Sequence, residues 1–305
     1  PRPPVRVGPM SDQIDQRSVR VGDMEFGLLA VDPPSGSGPL ALCLHGYPDS
    51  AWTWRHLLPV LASAGYRAVA PFSRGYAPTS LAPDGRYQAG VLGLDANALH
   101  EALGGDGDAV LIGHDWGAMG AYAAATLDPD RWRRVVTAAV PPGPVTAQQF
   151  LSYDQLKMSW YMFFQLTQLA DLLVPMEDFA FIARLWADWS PGYDCTEDVA
   201  HFARCMDGEG RVEAALGYYR QTLDPERQDP ALADAQGAVF ALPPQPLLYL
   251  HGTRDGCMAA ELAATTGDHL QVPGSRAVMV EGTGHFLHFE QPDVVNAEIM
   301  TFLTT

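Results

Sequence analysis

Residues 110–120 read VLIGHDWGAMG, and this stretch decides the fold. An apolar run ends at Gly113, a small-residue helical pattern begins at Gly117, and Asp115 stands between them. A tight strand-to-helix turn needs small residues on both sides of its apex, and it lifts the apex side chain above the carboxyl edge of a sheet. The pattern predicts that Asp115 is a nucleophile on such an elbow. The alternative is that Asp115 only caps the following helix.

Apolar runs on either side of this stretch alternate with helical patterns. A hairpin is predicted over residues 17–32, turning at Gly22-Asp23, and further strands are predicted over 40–44, 66–71, 109–113, 133–140, 246–252 and 276–282. Helical patterns cover residues 51–65, 90–103, 117–128 and 292–303. Strands that alternate with helices indicate a mostly parallel central sheet with flanking crossover helices.

Residues 142–240 differ from the rest of the chain. They contain no convincing strand and are rich in aromatic residues, and strand patterns resume after them. We therefore predict an α/β core domain of residues 1–141 and 241–305. A helical lid of residues 142–240 is inserted late in the sheet of that core.

The composition narrows the classes of partner. The net charge of −17 argues against nucleic acids and anionic membrane surfaces, which both attract basic patches. No stretch approaches the roughly 20 apolar residues of a membrane span. The four cysteines, at 43, 195, 205 and 257, show neither a disulfide framework nor metal-site spacing. These features predict a cytoplasmic protein that needs no cofactor or metal, so chelators should have no effect. A homodimer is one assembly that the sequence leaves open.

Two partners for Asp115 follow in the chain. Asp255 lies in HGTRDG after the strand at 246–252, and His285 lies in GTGHFLHFE after the strand at 276–282. The order nucleophile, acid, histidine is that of a nucleophile-elbow triad. Asp255 alone reads as a turn residue beside Gly256. His288 is a rival base, but we expect it to lie already in the terminal helix.

An oxyanion hole requires two backbone N–H groups near the nucleophile. Trp116, directly after Asp115, offers one, and Tyr47 of HGYP (45–48) offers the other. Pro48 has no N–H to donate. His45 is interpreted as a structural brace of this loop.

Together HGYP, GHDWG, Asp255 and Gly284-His285 resemble the epoxide hydrolase branch of the α/β-hydrolase superfamily, over nearly the whole chain. The resemblance implies two lid tyrosines that hold the epoxide oxygen. GYYR (217–220) is similar to the second tyrosine's segment, with Tyr219 the better match and Tyr218 the alternative. SWYMFFQ (159–165) is similar to the first tyrosine's segment, which makes Tyr161 the donor although its spacing to Phe164-Gln165 departs by one residue. Each of these tyrosines has the alternative of simply packing the lid.

An aspartate nucleophile suits attack at a saturated carbon, because a carboxylate with a reference pKa of about 3.9 is already ionised at neutral pH. The expected reaction turns a small apolar epoxide and water into a vicinal diol, with Asp115 alkylated and His285 activating the water. The predicted substrate pocket consists of Trp160, Phe164, Tyr218, Trp186 and Phe286. The alternatives are a haloalkane dehalogenase with the same nucleophile and a non-catalytic binding protein on this fold.

Overall fold

A computed structural model describes residues 14–305, with only the backbone described for 147–149. The first thirteen residues of the predicted core domain therefore lie outside the described residues. Eight strands form one sheet in the order β1-β2-β4-β3-β5-β6-β7-β8. They are β1 Asp15–Val21, β2 Met24–Val31, β3 Leu40–Leu44, β4 Arg67–Pro71, β5 Val110–His114, β6 Arg134–Ala138, β7 Leu247–Gly252 and β8 Arg276–Val280.

The predicted hairpin is confirmed, since β1 pairs antiparallel with β2, which pairs antiparallel with β4. The other neighbours all pair in parallel. Every residue of β3 and of β5 is buried, as a parallel strand covered by helices on both faces requires. The α/β fold with a mostly parallel sheet is confirmed.

Helices of the core flank this sheet. They are α1 Leu58–Ser63, α2 Ala89–Ala102, α3 Trp116–Leu127, α12 Ala260–Ala264, α13 Thr266–His269, α14 Leu287–Glu290 and α15 Pro292–Thr304, where the numbering counts the lid helices α4–α11 given below. One prediction needs correction: the helix expected over residues 51–65 is split into a 3₁₀ turn, Ala51–Trp54, and α1. Pro59 explains the break, because proline is accepted in the first turn of a helix but not in its interior.

Between β6 and β7 the described residues are helical and contain no strand. The helices are α4 Gly143–Gln149, α5 Tyr153–Met158, α6 Trp160–Gln165, α7 Leu169–Leu173, α8 Met176–Trp189, α9 Thr196–Cys205, α10 Arg211–Leu223 and α11 Ala233–Ala238, with 3₁₀ turns at Pro225–Arg227 and Pro230–Leu232. The exact division into a core and a lid of residues 142–240 stays a prediction. The arrangement places this helical segment at the point where the chain leaves β6, near the carboxyl end of β5.

Candidate active site

The turn after β5 is a strained elbow. Asp115 has φ 52° and ψ −121°, a backbone conformation that is costly for any residue except glycine. A Cβ on Gly113 would collide with the backbone of Gly117, and a Cβ on Gly117 would collide with the carbonyl of Leu44. The two glycines therefore allow β3, β5 and α3 to pack closely enough to hold Asp115 at the apex. Its side chain accepts no hydrogen bond from α3, which leaves the helix-cap interpretation without support.

The three predicted triad residues meet. His285 Nδ1 lies 3.0 Å from Asp255 Oδ2, and His285 Nε2 lies 3.6 Å from Asp115 Oδ2. Asp255 Oδ1 accepts hydrogen bonds from the backbone N–H groups of Cys257, at 2.7 Å, and Met258, at 2.9 Å. Because both oxygens of Asp255 are engaged, this carboxylate is fixed, and it holds the imidazole with Nε2 towards the nucleophile.

Electrostatics within this group favour ionised carboxylates. Burial alone would raise the pKa of Asp115, but the adjacent His285 brings it below its ordinary value. Burial opposes a charge on His285, yet Asp255 and Asp115 together raise the pKa of that imidazole well above its ordinary value. In the free protein the two carboxylates therefore favour the protonated form of the imidazole.

The HGYP loop lies directly over the nucleophile. The backbone N–H of Tyr47 donates to Asp115 Oδ1 at 2.8 Å. The N–H of Trp116 is the first of α3 and belongs to the N–H groups that a helix leaves without an internal acceptor. His45 braces this loop, because its Nε2 accepts from the backbone N–H of Ser73 at 2.9 Å and its Nδ1 then donates to the Gly46 carbonyl at 2.8 Å.

His288, the rival base, does not face the nucleophile. It lies in α14 rather than in the terminal helix α15, which corrects our expectation. Its Nε2 lies 2.6 Å from Thr53 Oγ1, and burial lowers its pKa well below the ordinary value. His288 therefore stays neutral, and its imidazole forms a hydrogen bond with Thr53 and not with a member of the triad.

A cavity of about 200 Å³ opens above Asp115. Both predicted oxygen donors, Tyr161 on α6 and Tyr219 on α10, line it, and both side chains are buried. The Tyr161 hydroxyl lies 3.2 Å from Cys257 Sγ. Burial raises the pKa of each tyrosine well above its ordinary value, so both hydroxyls keep their protons and remain hydrogen-bond donors.

None of the five residues predicted to form the substrate pocket is among the described residues that line the cavity. Tyr218 turns away and donates its hydroxyl to the Arg74 carbonyl at 2.8 Å. Trp186 donates its indole N–H to the Pro48 carbonyl and stacks on Phe286. Trp160 is 47% exposed and, like Phe164, packs within the lid.

The described residues that do line the cavity are mostly apolar. Besides the catalytic candidates they are Met119, Val140, Pro141, Gly143, Thr146, Phe150, Met162, Thr222, Leu223, Val239, Phe240, Cys257 and Met258. Helical spacing from the predicted site residues could have predicted some of these lining residues. Met119 follows Asp115 by four residues, and Thr222 and Leu223 follow Tyr219 by three and four, so each shares its helix face with a predicted site residue.

Comparisons with known proteins place the chain in a family. The sequence pattern of the alpha/beta hydrolase fold matches residues 39–292. An epoxide hydrolase of Caballeronia sordidicola is 37% identical over 304 residues, which cover 88% of this chain and 89% of that protein. The chain belongs to the epoxide hydrolase branch of the α/β-hydrolases. The human protein Epoxide hydrolase 4 is 30% identical over 295 residues, covering 93% of this chain and 78% of the relative.

Solved structures of the family share the fold. An epoxide hydrolase of Bacillus megaterium in complex with an inhibitor superposes with a TM-score of 0.78 at 24% identity, over 95% of this chain and all of that one (100%). In the part of the chain described, no helix of this epoxide hydrolase is long and apolar enough to cross a membrane.

The absence of clustered ligands in the sequence, from which we expected no metal, does not carry over to the fold. The sequence shows no clustered ligands, yet folding brings metal-ligating side chains from separate segments together. In one group, of Asp49, His114 and His288, the potential ligand atoms lie within 4.8 Å of one another, and the same holds for Asp255, Cys257 and His285. Sequence spacing reveals neither group. Asp255 and Cys257 share one loop, but His285 comes from another, and Asp49, His114 and His288 lie in a loop, in β5 and in α14.

Proposed function

We propose that the protein hydrolyses a small apolar epoxide to a vicinal diol through an ester of Asp115. The observation that carries the proposal is the placement of a carboxylate on a nucleophile elbow in one cavity with two tyrosine hydroxyls. Serine at this point would need a base to remove its proton before attack. Asp115 is already ionised, because the adjacent His285 holds the pKa of this buried carboxyl below its ordinary value, so it suits displacement at a saturated carbon without prior removal of a proton.

In the first step Asp115 attacks one epoxide carbon. The hydroxyls of Tyr161 and Tyr219 donate hydrogen bonds to the epoxide oxygen as its bond to that carbon breaks. This donation stabilises charge that develops only in the transition state, where such donors contribute most to rate. The freed oxygen takes a proton from one of these tyrosines, which regains one from solvent, so the product of the step is a hydroxyalkyl ester of Asp115.

In the second step His285 takes a proton from water, which attacks the ester carbonyl. Esterification removes the negative charge of Asp115, and this loss lowers the pKa of His285 because one of its two carboxylate neighbours is neutralised. The imidazolium then gives up its proton to solvent, and the neutral ring is competent as a base once the first step is complete. The N–H groups of Tyr47 and Trp116 receive the oxyanion, and the diol leaves.

The cavity lining supports a neutral apolar substrate. Of its two threonines, Thr146 donates its hydroxyl to the Pro141 carbonyl, and Thr222 accepts from the backbone N–H of Ala89. Asp115 is the one charged side chain among the described lining residues. A charged or strongly polar substituent on the substrate would therefore be buried without a partner, which costs free energy.

The dehalogenase alternative lacks a second halide donor. Trp116 lines the cavity, but the other tryptophans that could supply an indole N–H, Trp160, Trp186 and Trp189, are not among its described lining residues. Tyr47 stands where an asparagine would supply a side-chain donor.

A cytoplasmic location and a homodimer remain predictions.

The test is diol formation from a panel of aryl and terpene epoxides, with chloride release from chloroalkanes measured in parallel. Asp115→Ala should abolish diol formation, whereas Asp154→Ala, the same change at an exposed carboxylate of α5, should leave the rate unchanged. Residual activity of Asp115→Ala above a tenth of the wild-type rate would show that another group does the chemistry. Chloride release without diol formation would support the dehalogenase, and binding without either reaction would support the non-catalytic alternative.

A further inference from the structure

A single thiol lies beside the triad in the described part of the cavity. Cys257 is buried, lines the cavity, and follows the orienting acid Asp255 by two residues. Its Sγ, a carboxylate oxygen of Asp255 and a ring nitrogen of His285 all lie within 4.8 Å of one another. The proposed reaction gives this sulfur no part.

The neighbouring imidazole is already oriented as in a metal site. His285 Nδ1 forms a hydrogen bond with Asp255 Oδ2, while the buried Nε2 has no hydrogen-bond partner. Zinc-bound histidines usually carry such a carboxylate on the nitrogen that faces away from the metal. The free Nε2 faces Asp115 Oδ2 at 3.6 Å, so a second anionic ligand stands on the same side.

We propose that Asp115, Cys257 and His285 form an inhibitory site for a divalent cation of the zinc class, with Asp255 holding the histidine. Thiolate, imidazole and carboxylate are the ligands that zinc takes, and the cavity leaves the fourth position open to water. The inference uses the proposed nucleophile and base as ligands, so it rests on the proposed function for its inhibitory effect but not for binding.

Binding requires small movements. Zn–S and Zn–N bonds of about 2.3 and 2.0–2.1 Å put tetrahedral ligand atoms about 3.3–3.6 Å apart. Asp115 Oδ2 and His285 Nε2 already lie 3.6 Å apart, so the movement falls on Cys257, whose side chain must rotate to bring Sγ to them. The cation replaces the thiol and imidazolium protons, which leave to solvent. A bound cation ties up the carboxylate that attacks and the nitrogen that activates water, so both steps stop.

The second group, of Asp49, His114 and His288, is the main competitor for added metal. It contains no sulfur, and none of its members is among the described residues that line the cavity. An experiment on the proposed site therefore needs a signal from the thiolate, and it needs a variant that disables the second group.

The purified chain, stripped with chelator, is titrated with Cd²⁺ while the ultraviolet sulfur-to-metal charge-transfer band is recorded. Zn²⁺ inhibition of epoxide hydrolysis is measured in parallel, and each variant is compared with its own metal-free rate. We expect about one equivalent of Cd²⁺ to produce the band and Zn²⁺ inhibition to be reversed by chelator. In Cys257→Ala the band should vanish and the inhibition constant should rise at least about tenfold.

Two control variants keep the result specific. Cys195→Ala removes a half-buried lid cysteine, and Asp49→Asn disables the second group, so both should retain the band and the wild-type inhibition constant. No band on the wild-type chain, or equal Zn²⁺ sensitivity of Cys257→Ala and wild type, would overturn the proposal. If the chain does not hydrolyse epoxides at all, the Cd²⁺ titration still tests the site, so the two failures are distinguishable.

Discussion

Asp255→Asn should separate the two steps of the reaction. Asp255 Oδ1 accepts two backbone N–H bonds, from Cys257 and Met258, while Oδ2 faces His285 Nδ1. Asparagine has one acceptor oxygen. If that oxygen turned to His285, the buried N–H groups of Cys257 and Met258 would face an NH₂ group and have no acceptor. Each unsatisfied N–H group would cost about 1–3 kcal/mol of stability. The oxygen therefore stays on the backbone, and the NH₂ group faces Nδ1.

An NH₂ group at Nδ1 favours the tautomer of His285 that carries its proton on Nε2, and such a ring cannot accept a proton from water. The corresponding change in a serine protease triad lowers kcat by about 10⁴, or about 5.4 kcal/mol. We expect a loss of about 10³–10⁴ in steady-state diol formation. Alkylation of Asp115 does not need the base, so one equivalent of epoxide should still be consumed in a burst.

Rapid-quench kinetics with intact-protein mass spectrometry measure both quantities in one experiment. The matched control is Asp268→Asn, the same change at an exposed acid of α13, which should behave as wild type. A diol rate in Asp255→Asn within tenfold of wild type would refute the role assigned to this carboxylate. A loss of the burst together with the diol would show that the triad also serves the first step.

Tyr161→Phe and Tyr219→Phe should each slow alkylation by about 2–4 kcal/mol, and the double variant should nearly stop it in single-turnover assays; normal turnover by both single variants would refute the donor assignment. Gly46→Ala should lower kcat about 10²-fold or more while circular dichroism stays native, because its new methyl group collides with the Asp115 side chain; a wild-type kcat would contradict this packing. Burial raises the pKa of Asp49 from 3.8 to about 8. The folded state therefore binds the Asp49 proton more tightly than the unfolded state, and stability is lost as the pH rises towards 8, by at most about 1.4 kcal/mol per pH unit. Urea unfolding between pH 5 and 8 should show a shallower decline for Asp49→Asn, and identical slopes would contradict a buried neutral acid.

The elbow and the meeting of the three triad residues could be predicted from short motifs and strand topology. Gly113, Asp115 and Gly117 lie within five residues, so the elbow is readable from the chain itself. Asp255 and His285 lie far from it in sequence, but parallel strands end at a common edge, and this topology predicted that they would meet.

The pocket could not be predicted in the same way. Tyr218 and Tyr219 are consecutive on one helix and point about 100° apart, so only the packing of α10 decides which of them faces Asp115. Aromatic content predicted Trp160 and Trp186 for the pocket, whereas the wall also includes small and flexible residues such as Thr222 and Met258, which composition does not single out. Cys257 carried no spacing signal, because its neighbours His285 and Tyr161 come from other segments.

The covalent ester of Asp115 is the central claim, and isotope labelling tests it most directly. Wild-type enzyme in excess over an epoxide substrate is allowed one turnover in ¹⁸O water, and both the diol and the peptide containing Asp115 are analysed by mass spectrometry. Water attacks the ester carbonyl, so the label should enter the Asp115 carboxylate and be absent from the first-turnover diol, reaching the diol only in later turnovers. Label in the first-turnover diol with none in Asp115 would contradict the covalent mechanism and leave Asp115 as a general base.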